Sequence, residues 1–192
     1  AEAAHETSEG PLADFHLTAR DRYELRIAAL LHDCGKVTTP VHVVDKATKL
    51  QTIFDRLELI DTRFELLRRD AEIRMLRQIA QGVPKEQAEA EFREFEAKMA
   101  VDRNLLHTSN VGSERMSDDD IERVKAISGR YRWRNAAGEE ADFLSADELE
   151  NLTIRAGTLT QAERQTINYH VSATIKMLEQ LPWPGHLKRV PE

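Results

Sequence analysis

An imidazole and a carboxylate stand side by side at His32-Asp33, after the apolar stretch Ala28-Ala29-Leu30-Leu31 and before Cys34-Gly35-Lys36. Nitrogen and oxygen donors of this kind suit a hard or borderline divalent metal. A lysine beside such a metal can neutralise a phosphate oxygen and the charge that develops at phosphorus. A second imidazole, His170, falls in the middle of a distant segment of helical periodicity, with Ile167, Val171, Thr174 and Leu178 on or near its inward face. An isolated His-Asp dipeptide is most often a capping aspartate beside a packed histidine. A lone histidine on an apolar helix face is usually a satisfied core residue. What points to chemistry is the combination of the pair with Gly35-Lys36 and a distal histidine.

The run His32-Asp33-Cys34-Gly35-Lys36 resembles the HD-x-G-K signature of the HD-GYP branch of the HD superfamily. Downstream, Gly157-Thr158-Leu159-Thr160-Gln161-Ala162-Glu163 with His170 resembles that branch's G-x-L-T-x-x-E segment and its following helical histidine. Two motifs in the right order are more specific than either alone, and the resemblance covers residues 18–45 and 154–181. It implies an all-α, HD-type domain in which His32, Asp33 and His170 hold metal, and in which Lys36 acts catalytically with Asp33 by contacting the substrate phosphate. It also implies a divalent cofactor, iron or manganese, bi- or trinuclear in the intact domain. The substrate implied is the cyclic dinucleotide cyclic di-GMP, which metal-activated water opens to linear pGpG, a second hydrolysis then giving GMP. The branch's upstream histidine, later His-His pair, further aspartate and Gly-Tyr-Pro loop have no match in this chain. The 192-residue piece is therefore expected to be inactive by itself. A catalytically degenerate signalling or dimerising module, and a nucleotide phosphohydrolase of another HD branch, are the alternatives.

The elements that must position these residues read as helices. Thr18 with Asp21 three residues on predicts a capping box, opening a helix through Leu25, Ala28, Ala29 and Leu31 that stops at Gly35. Val37 to Val44 mixes β-branched residues with Pro40 and predicts an extended loop whose apolar residues lie on the core. From Leu50, the spacing of Ile53, Leu57, Ile60, Phe64, Leu67 and Ala71 predicts a coiled-coil-like seam, broken at Gln81-Gly82-Val83-Pro84. Ala88, Phe92, Phe95, Met99 and Leu106 form the facing seam, giving a long antiparallel helical hairpin, an arm of about 45 Å at 1.5 Å per residue. Ser117 and Ser145 predict the starts of two short helices, with an irregular or hairpin segment between them. Thr160 with Glu163 predicts the start of the helix carrying His170. The expected organisation is thus an HD core over residues 1–45, a helical-arm insertion over 46–153, and a continuation of the core over 154–192. The arm is read as a structural or dimerising element, and a homodimer through it follows from that reading.

Composition narrows the function classes. With 41% hydrophobic and 32% charged residues and few glycines, prolines and aromatics, the chain describes a helix-rich globular domain. A formal net charge of -7 argues against a nucleic-acid polymer as partner, because gripping that backbone needs a basic surface. Arg130-Tyr131-Arg132-Trp133-Arg134 interleaves cations with aromatics as a single-strand binder would, but Glu139-Glu140-Ala141-Asp142 follows directly. No apolar run approaches the roughly 20 residues of a membrane span. The single cysteine, Cys34, excludes an internal disulfide and accords with a reducing cytoplasm.

Overall fold

A computed structural model describes residues 1–112 and 115–191, so that Ser113, Glu114 and Glu192, which fall within the expected arm and core segments, lie outside the described residues. The helices are α1 (Glu2–His5), α2 (Ala19–Leu31), α3 (Val41–Val44), α4 (Leu57–Ala80), α5 (Lys85–Val111), α6 (Asp118–Arg130), α7 (Ala146–Leu152) and α8 (Gln161–Glu179). Two strands, β1 (Arg132–Arg134) and β2 (Glu140–Asp142), pair antiparallel with Trp133 opposite Ala141. Among the described residues the protein is all-α but for this small hairpin. The chain divides into two compact units, one formed by residues 1–44 with 163–192 and the other by residues 45–162.

The second unit holds the larger core. Ile60, Phe64, Leu67 and Ala71 line one face of α4, with alternating spacings of four and three. Met99 and Leu106 of α5 meet that face. The two helices run antiparallel: Asp61 accepts from His107 Nε2 at 2.9 Å and from Arg103 Nε at 2.7 Å, while further along α4 Arg68 faces Glu96. The same core continues through Ile121, Val124 and Ile127 of α6, Tyr131, Phe143, Leu144 and Leu152 of α7. Phe64, Tyr131 and Phe143 pack ring on ring, with centroids 4.6 to 5.9 Å apart. Burial of several such side chains, at about 1.5–3 kcal/mol each, is what holds this unit together.

The buried polar groups of this unit are paired. Arg63 forms a two-pronged ion pair with Glu148, at 2.7 and 2.9 Å, and donates to the Phe143 carbonyl. Lys49, 2% exposed, donates to the carbonyls of Leu152, the last residue of α7, and of Ile154 just beyond it, and burial lowers its ammonium pKa. Arg132 is engaged by Glu140 and Asp142 across the hairpin, and Arg130 by Asp102, so these arginines of the cation-aromatic stretch face acids.

Two sequence expectations about local structure are corrected. Leu50 and Ile53 belong to no helix, since α4 begins at Leu57 and Ile53 is 95% exposed. Residues 49–56 form a turn held by Asn110, which accepts from Leu50 N at its side chain and from Lys49 N at its carbonyl. Asp55 takes up the Leu57 amide, and Arg56 donates to the Leu50 carbonyl. These bonds outweigh an apolar spacing that continues into the turn by coincidence. The segment 37–44 is not extended either: a 3-10 turn over Cys34–Thr38 leads through Pro40 into α3. Proline is suited to a first helical turn because the N–H it lacks would have no partner there, and the Pro40 carbonyl accepts from both Val43 and Val44. Only Val43 of this segment's valines is buried, whereas Val37 and Val41 are exposed.

The candidate metal centre

Both predicted side chains of the helix start are in place: the Thr18 hydroxyl accepts from Asp21 N at 3.2 Å, and the Asp21 carboxylate accepts from Thr18 N at 2.9 Å. That box starts α2, whose last residue is Leu31, with His32 as its C-cap. The expected stop at Gly35 is corrected accordingly. Gly35 lies inside the 3-10 turn, and its φ is not positive. No residue of α2 is buried, so its apolar positions, Leu25 and Leu30 among them, are not covered within this unit.

What Gly35 provides is a close approach. A Cβ there would sit 2.5 Å from the backbone nitrogen of Thr174 and 2.6 Å from its Oγ1, and nearer still to the His170 carbonyl. The Gly35 amide donates to Thr174 Oγ1 at 2.9 Å in a buried position. The turn after His32-Asp33 is thereby laid on the middle of α8, whose Ala173, Thr174 and Leu178 are buried on the face that carries His170.

The Asp33 carboxylate is the centre of the arrangement. His32 Nε2 lies 3.0 Å from its Oδ2, His170 Nε2 lies 3.4 Å from its Oδ1, and Lys36 Nζ donates to Oδ2 at 2.7 Å. The Lys36 hydrogen bond is the first cause that holds the Asp33 carboxyl below its usual pKa, ahead of the nearby charges of His32 and His170 and against partial burial. All four predicted site residues, His32, Asp33, Lys36 and His170, therefore come together. Cys34 is half-buried beside them. His107, by contrast, pairs with Asp61, and His5 packs edge-on against His16.

The tautomers can be worked out from the backbone. His32 Nδ1 lies 2.8 Å from the Ala29 carbonyl, and His170 Nδ1 lies against the Ile167 carbonyl. A carbonyl only accepts, so each Nδ1 carries the hydrogen, and in a neutral ring Nε2 then presents its lone pair. Two lone pairs facing one carboxylate repel unless a cation, either a proton or a metal ion, lies among them. Anchoring the remote nitrogen on a carbonyl is also how metal-binding histidines are oriented. In donor type and tautomer the residues fit a divalent ion. Each Asp33 oxygen addresses a different histidine, however, and among the described residues no group of three or more His, Cys, Asp or Glu side chains is gathered so as to hold one ion. The fit is that of a carboxylate shared between two histidines, not of a closed three-ligand cage.

Thr174 joins these residues through its bond to Gly35; the sequence places it one helical turn beyond His170 on the same face, but nothing in the sequence pairs it with Gly35.

Comparison with protein-family models gives a match to the HD domain over residues 6–108, just over half of the chain. The chain belongs to the HD domain family, a superfamily of metal-dependent phosphohydrolases. The matched stretch takes in His32, Asp33 and Lys36 and ends before His170. No curated protein and no solved structure matches the chain at a significant level. No helix among the described residues is long and apolar enough to cross a membrane.

Proposed function

We propose that the protein is a phosphodiesterase of the HD-GYP kind, acting on cyclic di-GMP in the cytoplasm. The observation that carries this reading is the Asp33 carboxylate, with the Nε2 atoms of His32 and His170 turned one toward each of its oxygens. His32, Asp33 and His170 would hold iron or manganese, with Asp33 as the shared ligand. When bound, the metal would supply a Lewis acid for a phosphoryl oxygen and would lower the pKa of its bound water toward neutrality. The Ala29 and Ile167 carbonyls keep the two imidazoles aimed, and thus keep both Nε2 lone pairs available. Lys36, 43% exposed and three residues from Asp33, is close enough to exchange its carboxylate partner for an incoming phosphate oxygen and offset its charge.

The second reading is a non-catalytic HD module that signals or mediates contact. It is favoured by the hold of Lys36 on Asp33, which occupies the cation that a phosphate would need. The experiment that separates the two is hydrolysis of cyclic di-GMP by the intact protein, supplied with iron(II) or manganese(II), beside its Asp33→Ala variant. Metal-dependent turnover abolished in Asp33→Ala is the expected result, together with loss of metal retention. Turnover that survives in Asp33→Ala sinks the assignment of the site; folded, metal-loaded protein without turnover moves the function to the second reading.

A further inference from the structure

The Asp33 carboxylate meets His170 across elements far apart in sequence, and α2 has already ended at Leu31, so no regular helix holds Asp33 in place. A buried backbone-to-side-chain contact ties its turn to α8. The Gly35 amide, two residues beyond Asp33, donates to the Thr174 hydroxyl, one helical turn beyond His170. Both partners are buried, Thr174 at 6% exposure. The close fit of Gly35 against α8 leaves no room for a Cβ between the turn and the backbone of His170 and Thr174. This buried bond ties the turn that carries Asp33 to the helix that carries His170, and a displacement of about 1 Å is enough to spoil a site of this kind.

We propose that Thr174 is a positioning residue of the metal centre: by accepting from the Gly35 amide, its hydroxyl sets the separation between the Asp33 carboxylate and the His170 imidazole. The inference rests on the metal-centre reading above and adds to it a residue that touches neither metal nor substrate. Valine keeps the shape of threonine and removes the acceptor, whereas serine keeps the acceptor and removes a methyl group. A role in packing alone would make serine the worse substitution, and a role through the hydroxyl makes valine the worse.

The test compares the intact wild-type protein with Thr174→Val, Thr174→Ser and Asp33→Ala in two measurements. Manganese(II) affinity is read from the free-ion EPR signal, and exchange of the Gly35 amide is read by NMR without metal. Thr174→Val is expected to weaken manganese binding by roughly ten- to a hundredfold, the usual effect of losing a partner behind a metal ligand, and to speed Gly35 exchange. Thr174→Ser is expected to stay near wild type in both. Wild-type affinity in Thr174→Val overturns the proposal, whether or not Gly35 exchange accelerates, and so does a greater loss in the serine variant. If the wild type binds manganese no better than Asp33→Ala, the metal-centre reading itself falls, an outcome visible without any Thr174 variant. Should Thr174→Val fail to fold by circular dichroism, Thr174→Ala removes the same acceptor and is read in the same way.

Discussion

Replacing Gly35 by alanine tests the packing on which the site depends. The added Cβ would lie 2.5 Å from the Thr174 backbone nitrogen, where ordinary contact begins at 3.4 Å, so the turn and α8 must part by roughly 1 Å. The atoms in the way are backbone within a 19-residue helix and cannot swing aside as a side chain would. Overpacking of this kind costs about 1–3 kcal/mol. The Gly35 amide and Thr174 hydroxyl, pulled apart while still buried, add about 1–3 kcal/mol. Since Gly35 has no positive φ, alanine meets no backbone strain, and the stiffer unfolded chain returns about 0.4–1 kcal/mol. A net loss of about 3 kcal/mol follows, or about 1.5 M in urea midpoint for a slope of about 2 kcal/mol/M.

The two tryptophans make the assay selective, because Trp183 lies in the unit that holds Gly35 and Trp133 in the other. Fluorotryptophan labelling and 19F NMR in urea then report each unit's transition separately, with the Trp183 transition expected to move. Gly129→Ala in α6 is the control: a Cβ there meets nothing within 4 Å, and alanine in a helix should stabilise by up to about 1 kcal/mol. A Trp183 midpoint in Gly35→Ala equal to wild type would refute the close approach of the turn to α8.

Two further predictions concern the second unit. Burial by itself would raise the Glu148 carboxyl, but the hydrogen bonds from Arg63 and Ser145 outweigh it and hold its pKa below the ordinary range. Its contribution to stability is therefore present above the unfolded value of 4.5 and lost as pH falls through the lower, folded value. Glu148→Gln should cost about 3 kcal/mol at neutral pH, because it leaves Arg63 half of a buried pair, and should flatten the acid limb of a stability profile; an unchanged limb contradicts this. Burial first, and then the bond to Asp102, push the Tyr131 hydroxyl up to about 12. With an unfolded value near 10, stability falls as pH rises between the two. Tyr131→Phe should cost about 1–2 kcal/mol at neutral pH by taking one partner from Asp102. It should also remove that alkaline decline, which denaturant titration from pH 9 upward would detect.

Much of this protein was legible one residue at a time. Helix starts at Thr18, Ser117 and Ser145 are written in local chemistry, since a hydroxyl and the amide three residues on need nothing from the rest of the chain. The faces of α4 and α6 follow from apolar spacing, because burial selects one side of a helix wherever its partner comes from. His32-Asp33 and Lys36 are adjacent in sequence, and the meeting of that group with Asp33 at its centre needs only one turn of chain. Tertiary structure alone decided where apolar spacing stops meaning helix: Leu50 and Ile53 keep the pattern, yet Asn110, from the end of α5, binds that stretch as a turn. Only tertiary structure could join α4 and α5 to α6, the hairpin and α7 in one core, since periodicity names a face without naming what covers it. The distance from Asp33 to His170 has the same origin. It depends on a glycine and a threonine 139 residues apart, whose meeting no local rule encodes.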